Sequence, residues 1–109
     1  MGRGTMLRCG AALGCLGVVA GAFGAHGLSD RLDAEELAIY ETAVRYQMYH
    51  ALALLLCAAL APARRTALAA HAFLWGTLIF SGSLYALLGT GARWLGAVTP
   101  FGGVLLVAG

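Results

Sequence analysis

Residues 40–56 read YETAVRYQMYHALALLL, and the two halves of that stretch belong to different solvents. The second half is an uninterrupted apolar run. The first half sets Glu41, Arg45, Gln47 and His50 among Tyr40, Tyr46 and Tyr49. Of the 109 residues, 61% are hydrophobic and only 11% charged, with a mean hydropathy of +0.82. Soluble domains carry about 25% charged residues, so the composition is that of a membrane protein. The length allows one domain, residues 1–109. Residues 40–56 are then the point where a helix passes from the interface into hydrocarbon. A net charge of +2, with no basic cluster interleaved with aromatics, excludes nucleic acid as a partner.

Charge-free windows of 21, 18 and 27 residues cover 9–29, 46–63 and 66–92. Each approaches or exceeds the ~20 residues that a helix needs to cross a ~30 Å hydrocarbon core. SDRLDAEE (29–36), APARR (61–65) and GTGAR (89–93) separate them as loops. The expected architecture is an all-α integral membrane bundle with full transmembrane helices over 7–27, 38–61 and 66–89. A fourth, over 97–109, is expected to be cut short, because 16 residues follow Arg93 and include Pro100, Gly102 and Gly103. The polar loop 28–37 is expected to hold a short amphipathic helix carrying Asp33, Glu35 and Glu36, with Ser29 or Asp30 as its N-cap. Arg3 and Arg8 ahead of Ala20-Gly21-Ala22 resemble a cleaved leader, and Leu13-Gly14-Cys15 a lipoprotein site. Both are set aside in favour of a retained first helix. Arg3, Arg8, Arg64 and Arg65 lie on one side, against Arg31, Arg45 and Arg93 on the other. Arginine counting therefore places the N-terminus of a multi-pass protein in the cytoplasm.

Glycines at 10, 14, 17, 21 and 24 repeat at spacings of 4, 3, 4 and 3. They put a stripe of bare backbone on one face of the first helix. Such a face lets another helix approach closely where no hydrophobic force drives association, and a 3.5-residue repeat favours a left-handed crossing. The stripe serves packing within the bundle, self-association or docking onto a larger membrane protein. Ala72, Gly76 and Ser83 make a weaker matching face on the third helix.

GAFGAHGL (21–28), ETAVRYQMYHALALLL (41–56), FSGSLY (80–85) and TPFGG (99–103) resemble the bacterial membrane proteins of the domain-of-unknown-function family 423, related to the transmembrane protein 256 group. The resemblance runs along nearly the whole chain. It implies a four-helix integral protein of the bacterial inner membrane with no agreed biochemical activity, and a last helix continuing past the TPFGG motif.

Glu41 precedes Arg45 by four residues, the favourable order for a helical ion pair. Tyr40, Tyr46 and Tyr49 fit an interfacial aromatic belt. His50 falls near mid-membrane, where a neutral imidazole needs partners. A hydroxyl or carbonyl is expected from Tyr46, Ser81 or Ser83, making His50 an interhelical pin. His26 and His71 lie at other depths, and Cys9, Cys15 and Cys57 lack metal spacing, so no metal or other cofactor is expected. No nucleophile elbow, HExxH or phosphate loop is present, and the chain is expected not to be an enzyme. The candidate polar cluster is Glu41, Arg45, Tyr46, Gln47, Tyr49 and His50, with His26. The leading function is an accessory subunit in the lipid bilayer that packs through the glycine face against a larger membrane complex or itself. The alternative is a small transporter or ligand-binding module lined by Tyr46, Gln47 and His50.

Overall fold

A computed structural model describes all of residues 1–109 and contains helices and turns only. Helix α1 (Arg3–Phe23) runs into a π-turn (Gly24–Leu28). Helices α2 (Ala34–Ala59) and α3 (Arg64–Thr90) follow, then a 3₁₀ turn (Arg93–Ala97) and α4 (Thr99–Ala108).

Local chemistry sets these limits, and in two places it differs from the expectation. No separate amphipathic helix lies between the first two helices. Asp33 Oδ1 accepts the Glu36 N–H at 2.8 Å, and Glu36 Oε1 accepts the Asp33 N–H at 3.2 Å. This reciprocal capping box makes Asp33 the N-cap and puts Glu35 and Glu36 in the first turn of α2, where carboxylates favour the positive end of the helix dipole. Ser29 instead donates to the Ala25 carbonyl at 3.2 Å, closing the π-turn. In the fourth segment, Pro100 starts a helix rather than breaking one. It occupies the first turn of α4, where a missing N–H costs nothing. Helix α2 stops as Leu60 turns extended shortly before Pro62. Helix α3 stops at Gly91, whose φ of +70° is the left-handed conformation that glycine adopts without strain.

The helices form a row, each packed on the next, in a slab of 45 × 27 × 16 Å. The glycine stripe of α1 faces α2. A Cβ at Gly10 would stand 2.9 Å from the Leu55 side chain, and one at Gly24 2.5 Å from the Tyr40 ring. At Gly17 it would overlap the Met48 thioether, while Gly14 and Gly21 lie over Ala51 and Val44. The stripe thus serves packing within the bundle, the first of its expected uses, and docking of another protein on it would require α2 to leave, which corrects the expectation of an accessory contact through the glycine face. The inner seam gathers Met6, Leu13, Ala51, Leu54, Cys57, Ala58 and Ala70. Only 19 of 109 residues are buried, and Leu16, Val19, Leu52, Leu56 and Val107 point outward. That pattern suits lipid, a solvent as apolar as leucine. Two segments, Arg3–Leu28 and Arg64–Thr90, are long and apolar enough to cross a bilayer.

Between α3 and α4 the contact is backbone on backbone. A Cβ at Gly102 would overlap the Phe80 amide nitrogen and stand 2.8 Å from Phe80 Cα, whereas one at Gly103 meets only the Phe80 ring at 3.7 Å. Gly102→Ala is therefore expected to destabilise the protein by about 1–3 kcal/mol, the usual scale of overpacking. Gly103→Ala should stay within about 0.5 kcal/mol. Thermal unfolding of both variants in detergent checks this, and equal losses would refute the close α3–α4 crossing.

Candidate functional site

Helix α2 carries one buried seam of Tyr40, Ala43, Gln47, Ala51, Leu54 and Ala58, at the three-and-four spacing of a helix flanked by neighbours. Two polar side chains lie in it. Gln47, 5% exposed, donates from Nε2 to the Leu13 carbonyl of α1 at 2.8 Å. Its Oε1 accepts the Tyr85 hydroxyl of α3 at 2.8 Å. One side chain thus ties three helices. Two turns away, Tyr40 donates to the Ala20 carbonyl of α1 at 2.5 Å and meets the Tyr85 ring edge-on at 5.6 Å. Ser81 of α3 returns a bond to α2, donating to the Ala43 carbonyl at 2.7 Å.

The acceptors on α1 are chosen by its glycines. A helical side chain covers the turn N-terminal to its own Cα, so residue i+4 shields the carbonyl of residue i. Leu13 and Ala20 are each followed four residues later by glycine, Gly17 and Gly24. Their carbonyls are open to α2, and a Cβ at Gly17 would stand 3.5 Å from Gln47 Nε2.

The remaining predicted residues are placed elsewhere. His50 does not bridge helices. Its Nδ1 lies 2.7 Å from the Tyr46 carbonyl of its own helix, and because a carbonyl only accepts, Nδ1 carries the proton. The expected hydroxyls are engaged: Ser81 as above, and Ser83 with Thr99 Oγ1 at 2.6 Å and the Phe80 carbonyl at 2.9 Å. The interhelical pin is Gln47, not His50. Tyr40 turns inward to α1 rather than joining an interfacial belt. Tyr46 and Tyr49 stay exposed, with ring centres 5.8 Å apart, and Tyr46 packs on Phe80 at 4.8 Å. Glu41 and Arg45 pair at 3.4 Å on the surface, a geometry worth about 0.3–0.5 kcal/mol. His26 is exposed in the π-turn, and His71 sits at the opposite end, 3.4 Å from the N-terminal nitrogen. No three His, Cys, Asp or Glu side chains converge in a group that could hold a metal ion.

Two clefts flank this arrangement. One, of about 350 Å³, opens between α1 and α3 over Gln47 and is lined by Ala20, Gly82, Ser81, Tyr85 and Thr77. Thr77 is 2% exposed, and its hydroxyl has no partner. The other, of about 680 Å³, opens between α2 and α4 over Phe80 and is lined by Tyr46, His50, Pro100 and Val104. Tyr40, Thr77 and Tyr85 were absent from the sequence-derived cluster. Tyr40 shares a face with Gln47 at a seven-residue interval, and that periodicity is the signal that finds Tyr40.

Removing the clamp should cost more than removing the histidine. Gln47→Leu strands the Tyr85 hydroxyl and the freed Leu13 acceptor, a loss of about 1–3 kcal/mol. His50→Leu should lose less than about 1 kcal/mol, its bond being within one helix. A Gln47→Leu/Tyr85→Phe double-mutant cycle should return a coupling of about 0.5–2 kcal/mol by unfolding in detergent micelles. A larger loss at His50 than at Gln47 would contradict the assignment.

Comparison with known proteins agrees with an uncharacterised membrane architecture. Residues 20–103 match the family described as "Protein of unknown function (DUF423)". A "UPF0382 membrane protein" of Staphylococcus epidermidis is 44% identical over 102 residues, covering 92% of this chain and 84% of that protein. "UPF0382 membrane protein YwdK" of Bacillus subtilis is 42% identical over 102 residues, covering 90% and 83%. A Haemophilus influenzae "UPF0382 membrane protein" is 43% identical over 94 residues, covering 84% and 76%. No solved structure matches the chain. With the family motifs spread over the helices that build the Gln47 clamp, the chain belongs to the DUF423 family, whose curated relatives here are bacterial membrane proteins.

Proposed function

We propose that this protein is a non-enzymatic accessory subunit of the bacterial inner membrane, and that the cleft between α1 and α3 receives a transmembrane helix of a larger assembly. In this reading α1, α2 and α3 all cross the bilayer, with the N-terminus in the cytoplasm. At ~1.5 Å per residue the 26 residues of α2 reach about 39 Å. Its polar groups do not bar insertion: Gln47 is satisfied by α1 and α3, and Arg45 pairs with Glu41 near the helix start.

The observation that carries the reading is the cleft itself, open between α1 and α3 and walled by the small residues Ala20 and Gly82. Small residues on the walls allow the close backbone approach that membrane helices favour. A Cβ at Gly82 would meet nothing within 4 Å, so the space there is free. The α1–α3 cleft replaces the glycine stripe as the docking surface, since α2 already fills the stripe.

A second reading is favoured by the cleft over Phe80. His50, with Nδ1 engaged, keeps Nε2 as a free acceptor beside Tyr46. A small ligand carrying a donor would suit that site.

The two readings separate in one experiment. A photo-crosslinking amino acid at position 82 should give a single discrete adduct with another membrane protein, while the same group at Leu52 should not. Gly82→Phe should abolish co-purification in mild detergent without lowering the chain's own unfolding temperature. Recovery of the chain alone, unchanged by Gly82→Phe, would count against an accessory role, and solute binding lost with His50→Ala would favour the second reading.

A further inference from the structure

At the end of the molecule where α1 and α3 begin and α2 ends, a cleft of about 500 Å³ has a cationic rim and an apolar floor. Arg3 and Arg64 line the rim; Met6, Cys57 and Ala58, all buried, line the floor beside Pro62. Nothing acidic opposes the two guanidinium groups. All five carboxylates lie between residues 30 and 41. The structure's one ion pair, Arg45 with Glu41, sits at the other end of α2, roughly 25 Å away along the helix. Every basic residue of the chain is arginine, whose planar fork binds phosphate oxygens in pairs. Secondary to these, Gly2 and Ala63 offer no side-chain acceptor to the first-turn N–H groups of α1 and α3, which also face this end.

From this juxtaposition we propose that the cleft binds a phosphate ester, supplied by the headgroup of an anionic phospholipid. The phosphate sits between Arg3 and Arg64, and the glycerol and upper acyl carbons lie over Met6, Cys57 and Ala58. A fully hydrated free anion has no use for that apolar floor, whereas an amphiphile covers both parts. The depth agrees, because the cleft opens where the two apolar segments Arg3–Leu28 and Arg64–Thr90 start, the level of the headgroups.

The test uses the full chain in neutral detergent, titrated with dioleoylphosphatidylglycerol, dioleoylphosphatidylcholine or glycerol 3-phosphate and read by native mass spectrometry. One phosphatidylglycerol should bind per chain, and phosphatidylcholine at least about tenfold more weakly. Arg3→Gln/Arg64→Gln should weaken phosphatidylglycerol by about tenfold or more, because the paired guanidinium contacts to the phosphate are lost. Arg8→Gln/Arg65→Gln removes the same charge from residues outside the cleft and should leave binding within about twofold. If the double variant at the cleft does not fold, as judged by its unfolding midpoint, Arg64→Gln alone carries the comparison. Equal losses in the two arginine pairs, or equal binding of the two lipids, would overturn the site. Glycerol 3-phosphate binding as tightly as the lipid would overturn the lipid as its source and leave a free phosphate ester in its place.

Discussion

In an α-helix each carbonyl is committed to its own ladder and is normally covered by the side chain four residues on, so a neighbouring helix cannot reach it. Helix α1 lifts that cover at two places. Gly17 uncovers the Leu13 carbonyl and Gly24 the Ala20 carbonyl, and α2 answers with Gln47 and Tyr40 in the same register. Close approach and hydrogen bonding are therefore one device here. Without glycine the backbones would stand farther apart, and without the open carbonyls Gln47 would be a buried amide lacking an acceptor, a costly state in an apolar medium. Once α2 is registered on α1, the other end of the Gln47 amide fixes Tyr85, and with it the depth of α3. Ser81 on the Ala43 carbonyl locks the same crossing from the α3 side.

The same logic recurs with different atoms between α3 and α4. There the TPFGG segment brings Gly102 onto the Phe80 backbone and Gly76 under Leu106. Thr99 at the head of α4 meets Ser83. Each interface pairs small residues with a hydroxyl or amide bond, the two resources that membrane helices have in place of a hydrophobic drive. The row of helices follows from this: each neighbour pair is sufficient in itself, so no closed central core is required, and the slab is only 16 Å thick.

Much of this was legible in the sequence because it depends on spacing. Charge-free windows located the helices, the 4-3-4-3 glycine interval identified a packing face, and the four-residue step from Glu41 to Arg45 gave their pairing. What was not legible depended on which way a residue faces. Depth alone singled out His50, yet depth says nothing of rotation about the axis. Gln47 lies three residues earlier, some 60° around the helix from His50 at ~100° per residue, and that angle separates a clamp between three helices from a ring over Phe80. Tyr40 was assigned to the membrane surface for the same reason, although it stands seven residues from Gln47 on one face. The acidic loop was misplaced for a shorter-range cause. Asp33 and Glu36 satisfy one another's backbone donors only if α2 begins at Ala34, and composition does not distinguish that start from a separate helix.

The polar half of α2 thus resolves into three sectors with three separate consequences. Tyr40 and Gln47 face inward and set the register of the fold. Glu41, Arg45 and Tyr49 face out, where Glu41 and Arg45 pair with one another. Tyr46 and His50 occupy the wall of the cleft toward α4, where the imidazole proton is fixed by the Tyr46 carbonyl rather than by another helix. The inward sector is satisfied by α1 and α3, while Tyr46 and His50 add ring contacts to Phe80 and Phe73 of α3. Substitutions on the outward sector can therefore change what the protein touches with little change in how it packs. The α1–α3 cleft is the reverse case. Thr77 and Ser81 share one face of α3, four residues apart, and the bundle bonds only Ser81. The fold uses one hydroxyl of that pair and encloses the other without a partner at the base of the cleft.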